Sequence, residues 1–321
     1  MERKRVIVTE FIDPAGLEIL ARYFDLTYLP DAPKLKLAEA IKEAHGIGVR
    51  LAHITAELMA SAPNLKIVAK HGVGYDNIDV AAATSRRIVV VTTPKANAVS
   101  VAEHILSLML CLANRICVAN ADLKAGRFVQ REDYVGVELK GKTLGVVGLG
   151  RIGSETARKC KSGFGMNIVA YDPLLSAETF ELTGYRRTET LGPLLEDADF
   201  VVLCVPLTAQ TTNMIGAREL AWMKPSAFLV NTSRGGLVDE AALYTALVEG
   251  RIAGAGMDAF VKEPPTPQNT LLTLDNFIAT PHVAGATHEA MRRMATDMAE
   301  EIVRVLSAER PLYPVNPEVY E

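Results

Sequence analysis

The sequence predicts an α/β protein made of two doubly wound, parallel-sheet units. Three observations carry that expectation. Short apolar runs alternate with segments of helical period along most of the chain, as in consecutive βαβ units. The alternation begins twice, at Val6 and again at Thr143, on either side of a long apolar helix. The 321 residues, 49% hydrophobic and 22% charged, suffice for two domains of roughly 100–200 residues each.

In the first part, Val6–Thr9 reads as a strand and Pro14–Tyr23 as a helix with proline in its first turn. Leu35–Ala44 reads as a helix, Gly46–Val49 as a strand and Ala56–Ser61 as a short helix. Ile67–Ala69 and Ile88–Val91 are strands flanking a helix at Val80–Ser85. Val99–Ala119 reads as one helix, too apolar all round for exposure, so it is expected between domains or against a second subunit. Gly126–Glu138, with Phe128, Arg131, Asp133 and Tyr134, reads as an ordered loop or arm at an interface. Further strands are expected at Thr143–Val147, Asn167–Tyr171, Phe200–Val205, Phe228–Asn231, Ala253–Met257 and Phe277–Thr280. A last amphipathic helix covers Glu289–Leu306, and the prolines at 311, 314 and 317 prevent its continuation.

Composition excludes some partners. A net charge of -4 without a basic cluster argues against a nucleic-acid surface. Cys111, Cys117, Cys160 and Cys204 show no CxxC spacing, so free thiols are expected, not a metal site or disulfide. The charged start Met1–Arg5 runs straight into a strand, and no apolar stretch has the length of a signal peptide core or a bilayer span. A cytoplasmic protein without a membrane partner is the expectation.

The motif Gly148-Leu149-Gly150-Arg151-Ile152-Gly153 follows the buried strand Leu144–Val147 and opens a helix at Ile152–Lys161. In that context it reads as a dinucleotide fingerprint. Gly148 allows the tight turn, Gly150 the approach of backbone to pyrophosphate, and Gly153 the close packing of helix on strand. The helix start offers unpaired N–H groups to the phosphates. Asp172 ends the next strand, 19 residues beyond Gly153. A carboxylate there accepts from the ribose hydroxyls and repels a 2′-phosphate, which favours NAD over NADP. Arg151, inside the turn, would soften that preference. Val205 and Pro206 close a strand where ribose and nicotinamide pass in such sheets, and Asp258 is placed to accept from the nicotinamide carboxamide. A solvated or turn-capping acid is the alternative for Asp172 and for Asp258.

Hydride transfer to a carbonyl also needs a proton donor and a grip on the substrate. His282 follows the strand Phe277–Thr280 at the carboxyl end, where such sheets hold ligands. Imidazole gives or takes a proton near neutral pH. Glu263 is placed to hold its other nitrogen. Arg234, after Asn231-Thr232-Ser233, offers a planar fork suited to a carboxylate and the neighbouring carbonyl oxygen. Singly, each has a bland alternative: a satisfied histidine, a solvated loop acid, a loop cation. Together, behind a dinucleotide motif and each at a strand end, they point to catalysis.

These motifs resemble the D-2-hydroxyacid dehydrogenase family, closest to its D-3-phosphoglycerate dehydrogenase branch. The likeness covers nearly the whole chain and rests on Gly148–Gly153 with Asp172, Val230–Glu240, Met257–Phe260 running to Glu263-Pro264, and Thr280–Gly285. It implies two Rossmann-like or flavodoxin-like domains with the active site in the cleft between them. One is a substrate domain of residues 1–97 and 288–321. The other is an NAD domain of residues 98–287, including a dimerisation helix and arm at about 99–140. It implies that Arg234, Glu263 and His282 are the catalytic triad. The cofactor set it implies is Gly148, Gly150, Arg151, Ile152, Gly153, Asp172, Val205, Pro206, Thr211, Thr232, Asp258, His282 and Gly285. The substrate set is Val73 and Gly74 from a glycine loop at Lys70–Asn77, with Arg50, Asn97, Arg234 and His282. The expected partners are a small anionic 2-oxo or 2-hydroxy acid and a second copy of the chain.

Two departures from the branch stand out. The chain ends at Glu321, which leaves no room for the regulatory domains appended to some members, so feedback through such a domain is not expected. Lys70-His71 replaces smaller or uncharged residues, which suggests a substrate with extra negative charge or one that differs from phosphoglycerate altogether. Within the class 3-phosphoglycerate leads, followed by hydroxypyruvate, glyoxylate and other anionic acids. Glu263 speaks against formate dehydrogenase, where glutamine is expected; phosphite oxidation stays open. From another class, an NADH-sensing corepressor-like protein could keep the same residues, but it would need a peptide-docking groove.

Overall fold

The computed structural model describes residues 3–30, 34–128 and 131–321. Val129 and Gln130 of the expected arm, and the side chain of Asp133, lie outside what is described. The chain divides into Met1–Asn97 with Ala286–Glu321, and Ala98–Gly285. The return point is two residues earlier than the sequence suggests.

The first unit carries β1 (Arg5–Val8), β2 (Asp25–Tyr28), β3 (Gly46–Val49), β4 (Ile67–Lys70) and β5 (Val89–Val91), ordered β2-β1-β3-β4-β5. All pairs are parallel. Strands β3, β4 and β5 are buried along their whole length, because helices cover both faces of such a sheet. The helix Pro14–Tyr23 is capped by Asp13, whose side chain accepts from Ala15 N–H. It packs with His288–Leu306 around Leu20, Met298 and Ile302. The expected helix at Leu35–Ala44 is α-helical over Lys34–Ala40 and 3-10 over Ile41–Glu43.

The second unit carries β6 (Thr143–Val147), β7 (Asn167–Tyr171), β8 (Arg186–Arg187), β9 (Phe200–Leu203), β10 (Phe228–Asn231), β11 (Gly254–Met257) and β12 (Phe277–Ala279). Their order is β12-β11-β10-β9-β6-β7-β8, with parallel pairing. The strand order reverses between β6 and β9, and ligands bind doubly wound sheets at that switch point.

Strands β2 and β8 are absent from the sequence reading. Both are edge strands, and β2 alternates exposed and half-buried residues, so neither shows the continuous apolar run of a central strand. The expected single helix at Val99–Ala119 is two, Ala98–Ala113 and Ile116–Lys124, bent by 64° at Arg115. Arg115 has φ 52°, and Val137 N–H donates to Ala113 O at 2.9 Å. That carbonyl would serve the amide of residue 117 in a continuous helix. The first segment buries Ile105, Leu108 and Met109 in one core with Leu144, Val146, Phe200 and Phe228, so its own sheet accounts for its apolar character. Among the described residues no single helix is long and apolar enough to cross a membrane.

Candidate active site

The glycine turn after β6 is shaped by contacts that leave no room for side chains. Gly148 has φ 93°, and a Cβ there would lie 2.7 Å from Cys204 O. At Gly153 a Cβ would lie 1.9 Å from Gly148 O, so the helix Arg151–Phe164 rests directly on the turn. Gly150, its N-cap, differs: nothing stands within 4 Å of an added Cβ. The helix start therefore presents its N–H groups beside an open cradle, flanked by Arg151 and Ile152. Asp172 Oδ2 accepts from Leu149 N–H at 2.9 Å and Oδ1 from Leu174 N–H at 2.9 Å. The acid clips the turn to the end of β7 and keeps lone pairs for a ligand.

Beyond β9, Val205 and Pro206 lead into a turn closed by Thr211, whose hydroxyl donates to Pro206 O at 2.7 Å. Thr232 Oγ1 is buried with no hydrogen-bond partner among the described residues. A buried unpaired hydroxyl calls for a ligand or water. The open space at Gly150, the free helix start and the orphan at Thr232 together fit a dinucleotide.

The chemistry-bearing residues sit on three adjacent strand ends. Asn231 of β10 pairs with Met257 of β11, and Met257 with Ala279 of β12. Arg234 follows β10 in a turn pinned by Asn231, whose Nδ2 donates to Arg234 O at 2.8 Å. Ser233 Oγ donates to Leu203 O at 2.9 Å, tying that turn to β9. Gly235 lets it press on the next loop, since a Cβ there would lie 2.0 Å from Phe260 C. In that loop Glu263 Oε1 accepts from Phe260 N–H at 2.9 Å, and Oε2 meets His282 Nδ1 at 2.9 Å. Glu240 holds the loop from outside, accepting from Val261 N–H at 2.8 Å. The His282 and Glu263 side chains are 43% and 38% exposed, so the imidazole is open to a substrate.

His282 takes the left-handed conformation, φ 54°, which a non-glycine residue holds only when its surroundings impose it. Asp258 imposes it. Its carbonyl accepts from His282 N–H at 2.8 Å, and its fully buried carboxylate accepts from Val283 N–H at 2.9 Å and Ala284 N–H at 2.8 Å. Thr280 Oγ1 donates to the same carboxylate at 2.6 Å. The carboxylate, expected to face the nicotinamide carboxamide, is here enclosed by these three protein donors. Gly285 follows, half-buried. The supporting residues Asn231, Glu240 and Thr280 were not singled out by sequence reasoning. Their residue types carry no catalytic signal; only their partners do.

The positions expected to hold substrate, apart from Arg234 and His282, belong to the first unit. Val73 is 37% exposed and Gly74 half-buried in the loop after β4. Glu10 orders the neighbouring segment, accepting from Arg50 N–H at 2.8 Å and Leu51 N–H at 2.9 Å. Asn97 Oδ1 is buried without a partner among the described residues. Lys70 is tied down, its ammonium donating to Asn77 Oδ1 at 2.7 Å and to Arg50 O. His71 is 3% exposed. Burial first, then the Arg50 charge, hold its imidazole down to about 4.

Known proteins resemble this chain in sequence and in fold. A family model described as D-isomer specific 2-hydroxyacid dehydrogenase, NAD binding domain, matches residues 106–284. The D-3-phosphoglycerate dehydrogenase of Methanocaldococcus jannaschii is 44% identical over 306 residues, 95% of this chain but 58% of its own length. The chain thus spans little more than half of that relative. The glyoxylate reductase of Korarchaeum cryptofilum is 42% identical over 324 residues, covering 99% of this chain and 97% of its own. Among solved structures, an NADPH-dependent glyoxylate/hydroxypyruvate reductase from Sinorhizobium meliloti, in complex with NADP and malonate, is similar with a TM-score of 0.87 and 34% identity. That match covers 98% of this chain and 97% of the other.

Proposed function

The chain belongs to the D-isomer specific 2-hydroxyacid dehydrogenases, oxidoreductases that use NAD(P), and from that premise we propose that it interconverts a small D-2-hydroxy acid and its 2-oxo acid with NAD(H). The observation that carries the reading is the 2.9 Å contact between Glu263 Oε2 and His282 Nδ1 at the edge of three paired strands. When bound, a dinucleotide would supply or accept the hydride. Gly148, Gly150, Arg151, Ile152, Gly153 and Thr232 would hold it, and Asp172 favours the form without a 2′-phosphate.

Each residue then has a defined task. Arg234 grips the substrate carboxylate and draws electron density from the adjacent carbonyl. In the first unit, the backbone N–H groups of Val73 and Gly74 would bind a carboxylate. His282 Nε2 delivers a proton to the developing alkoxide in reduction and removes it in oxidation. Glu263 accepts Nδ1–H, fixes the tautomer and stabilises the imidazolium.

For the substrate we put 3-phosphoglycerate first, with Arg50 as the second anion site. Hydroxypyruvate or glyoxylate is the second reading, favoured by the full-length similarity to a glyoxylate reductase and by the internal engagement of Lys70. A homodimer is supported by apolar side chains exposed beyond the helix bend: Ile116, Leu123, Phe128 and Val135.

The test follows NADH absorbance with a panel of 2-oxo acids, His282→Ala alongside. Turnover of one acid, abolished in the variant, is the expected result. NADH binding with no acid reduced by the wild-type protein overturns the proposal and favours a nucleotide-sensing role.

A further inference from the structure

We propose that His104 and Thr280 form a positioning relay for the acid–base histidine, acting through the buried carboxylate of Asp258. The inference rests on the dehydrogenase reading above and extends it to residues that stand outside the triad.

The chain of contacts lies within the second unit. His104, on the helix Ala98–Ala113, places Nε2 at 2.9 Å from Thr280 Oγ1. Thr280 Oγ1 lies 2.6 Å from Asp258 Oδ1. Asp258 meets backbone N–H donors at both oxygens, from Val283 and Ala284, so it is the acceptor toward Thr280. The single hydroxyl proton is committed to Asp258, and Thr280 must accept from His104 Nε2–H. His104 Nε2 itself stays 3.8 Å from Asp258 Oδ1, too far for a direct hydrogen bond. The threonine is therefore the link.

What the relay orders is the segment that carries His282. The Asp258 carboxylate binds the two amides after His282, and the Asp258 carbonyl binds the amide of His282 itself. These bonds hold the left-handed backbone that aims Nδ1 at Glu263. Without the hydroxyl donor, a buried carboxylate loses part of its solvation by protein groups. It then turns toward other donors, and the His282 backbone loses its template. Neither His104 nor Thr280 is assigned contact with substrate or cofactor. Both act through Asp258.

The experiment compares His104→Leu, His104→Gln, Thr280→Val and Thr280→Ser with wild type. It measures kcat, KM for the active 2-oxo acid, the NADH dissociation constant, and hydrogen exchange of the peptide spanning 280–285. Gln and Ser keep the donor and the hydroxyl, respectively. His104→Leu and Thr280→Val are expected to lower kcat by about tenfold to a hundredfold, the scale of a misplaced catalytic group. NADH binding should stay within about twofold, and exchange at Val283 and Ala284 should accelerate. Gln and Ser should recover most of kcat. Wild-type kcat and unchanged exchange in the Leu and Val proteins overturn the relay. So does equal damage in Leu and Gln, which marks His104 as packing alone. A wild-type protein that reduces no 2-oxo acid refutes the dehydrogenase reading instead; the exchange comparison then still decides the relay.

Discussion

Alanine at Gly153 and at Gly150 should separate stability from cofactor binding. A Cβ at Gly153 would lie 1.9 Å from Gly148 O and 3.2 Å from Val146 Cγ1. Real contacts of this kind essentially stop at 3.0 Å, so the helix must retreat about 1 Å from the turn, against backbone that cannot rotate away. Overpacking of this sort costs about 1–3 kcal/mol, and a backbone obstacle puts Gly153→Ala near the upper figure. In a unit of this size that is a fall in Tm of roughly 6–12 °C. The retreat also withdraws the helix start from the phosphates, so NADH affinity falls too. Gly150→Ala meets nothing within 4 Å and keeps an ordinary φ of -64°. Its Tm should stay within about 2 °C of wild type, because none of the large destabilising mechanisms applies. Its methyl group fills the cradle, however, and NADH affinity should fall at least about tenfold, or 1.4 kcal/mol. Thermal unfolding of the apo proteins and fluorescence titration with NADH decide the matter. Wild-type NADH affinity in Gly150→Ala would refute the argument that this turn holds pyrophosphate.

Glu263→Gln should lower kcat by about tenfold or more, since a charge-assisted hydrogen bond of about 1.5–3 kcal/mol to the imidazolium is lost; steady-state kinetics with unchanged NADH binding checks this. Arg234→Lys keeps the charge but not the fork, and kcat/KM should drop by about a hundredfold, read from initial rates on the active acid. Asp172→Ala should narrow the ratio of NADH to NADPH affinity and weaken both, because Leu149 N–H also loses its acceptor; paired titrations test it. The folded-state value of His71 lies near 4 against 6.5 for a free imidazole. The unfolded chain therefore takes up the proton first, and stability falls as pH drops from about 6.5 toward 4, by up to about 3 kcal/mol in all. His71→Leu should flatten that part of the urea-derived stability profile, and an unchanged profile would contradict the assignment.

The chemistry-bearing residues were legible because each couples a distinctive residue type to a position. Arg234, Glu263 and His282 follow apolar runs that become β10, β11 and β12, and the glycines follow β6. Spacing alone conveyed that much. The residues that hold them in place were not legible, because their roles are contacts between distant segments: His104 and Thr280 are 176 positions apart. The helix bend at Arg115 was hidden for a related reason. Apolar residues resume at Ile116 directly after Asn114 and Arg115, and the Val137 N–H that takes the Ala113 carbonyl comes from outside the helix. The partners of Lys70 were not legible either, because nothing local shows that Asn77 and the Arg50 carbonyl accept from its ammonium. Edge strands β2 and β8 escaped because an edge needs apolar contact on less of its surface.

The precision of the site comes from the sheet and not from its loops. The paired positions Asn231, Met257 and Ala279 launch the three loops side by side, and Asn231 and Met257 are completely buried. A one-residue slip of any of these strands would reverse its faces and move apolar side chains out of the core. The core therefore enforces the register that sets the loops beside one another. Within the loops the same economy recurs: the paired side chains His282 and Glu263 are about 40% exposed, while Asp258 is fully buried. Exposure leaves the imidazole free to meet substrate, and burial below keeps the backbone that carries it from relaxing out of its left-handed turn. A buried floor under an exposed imidazole–carboxylate pair is the arrangement that the proposed proton transfer at His282 would need.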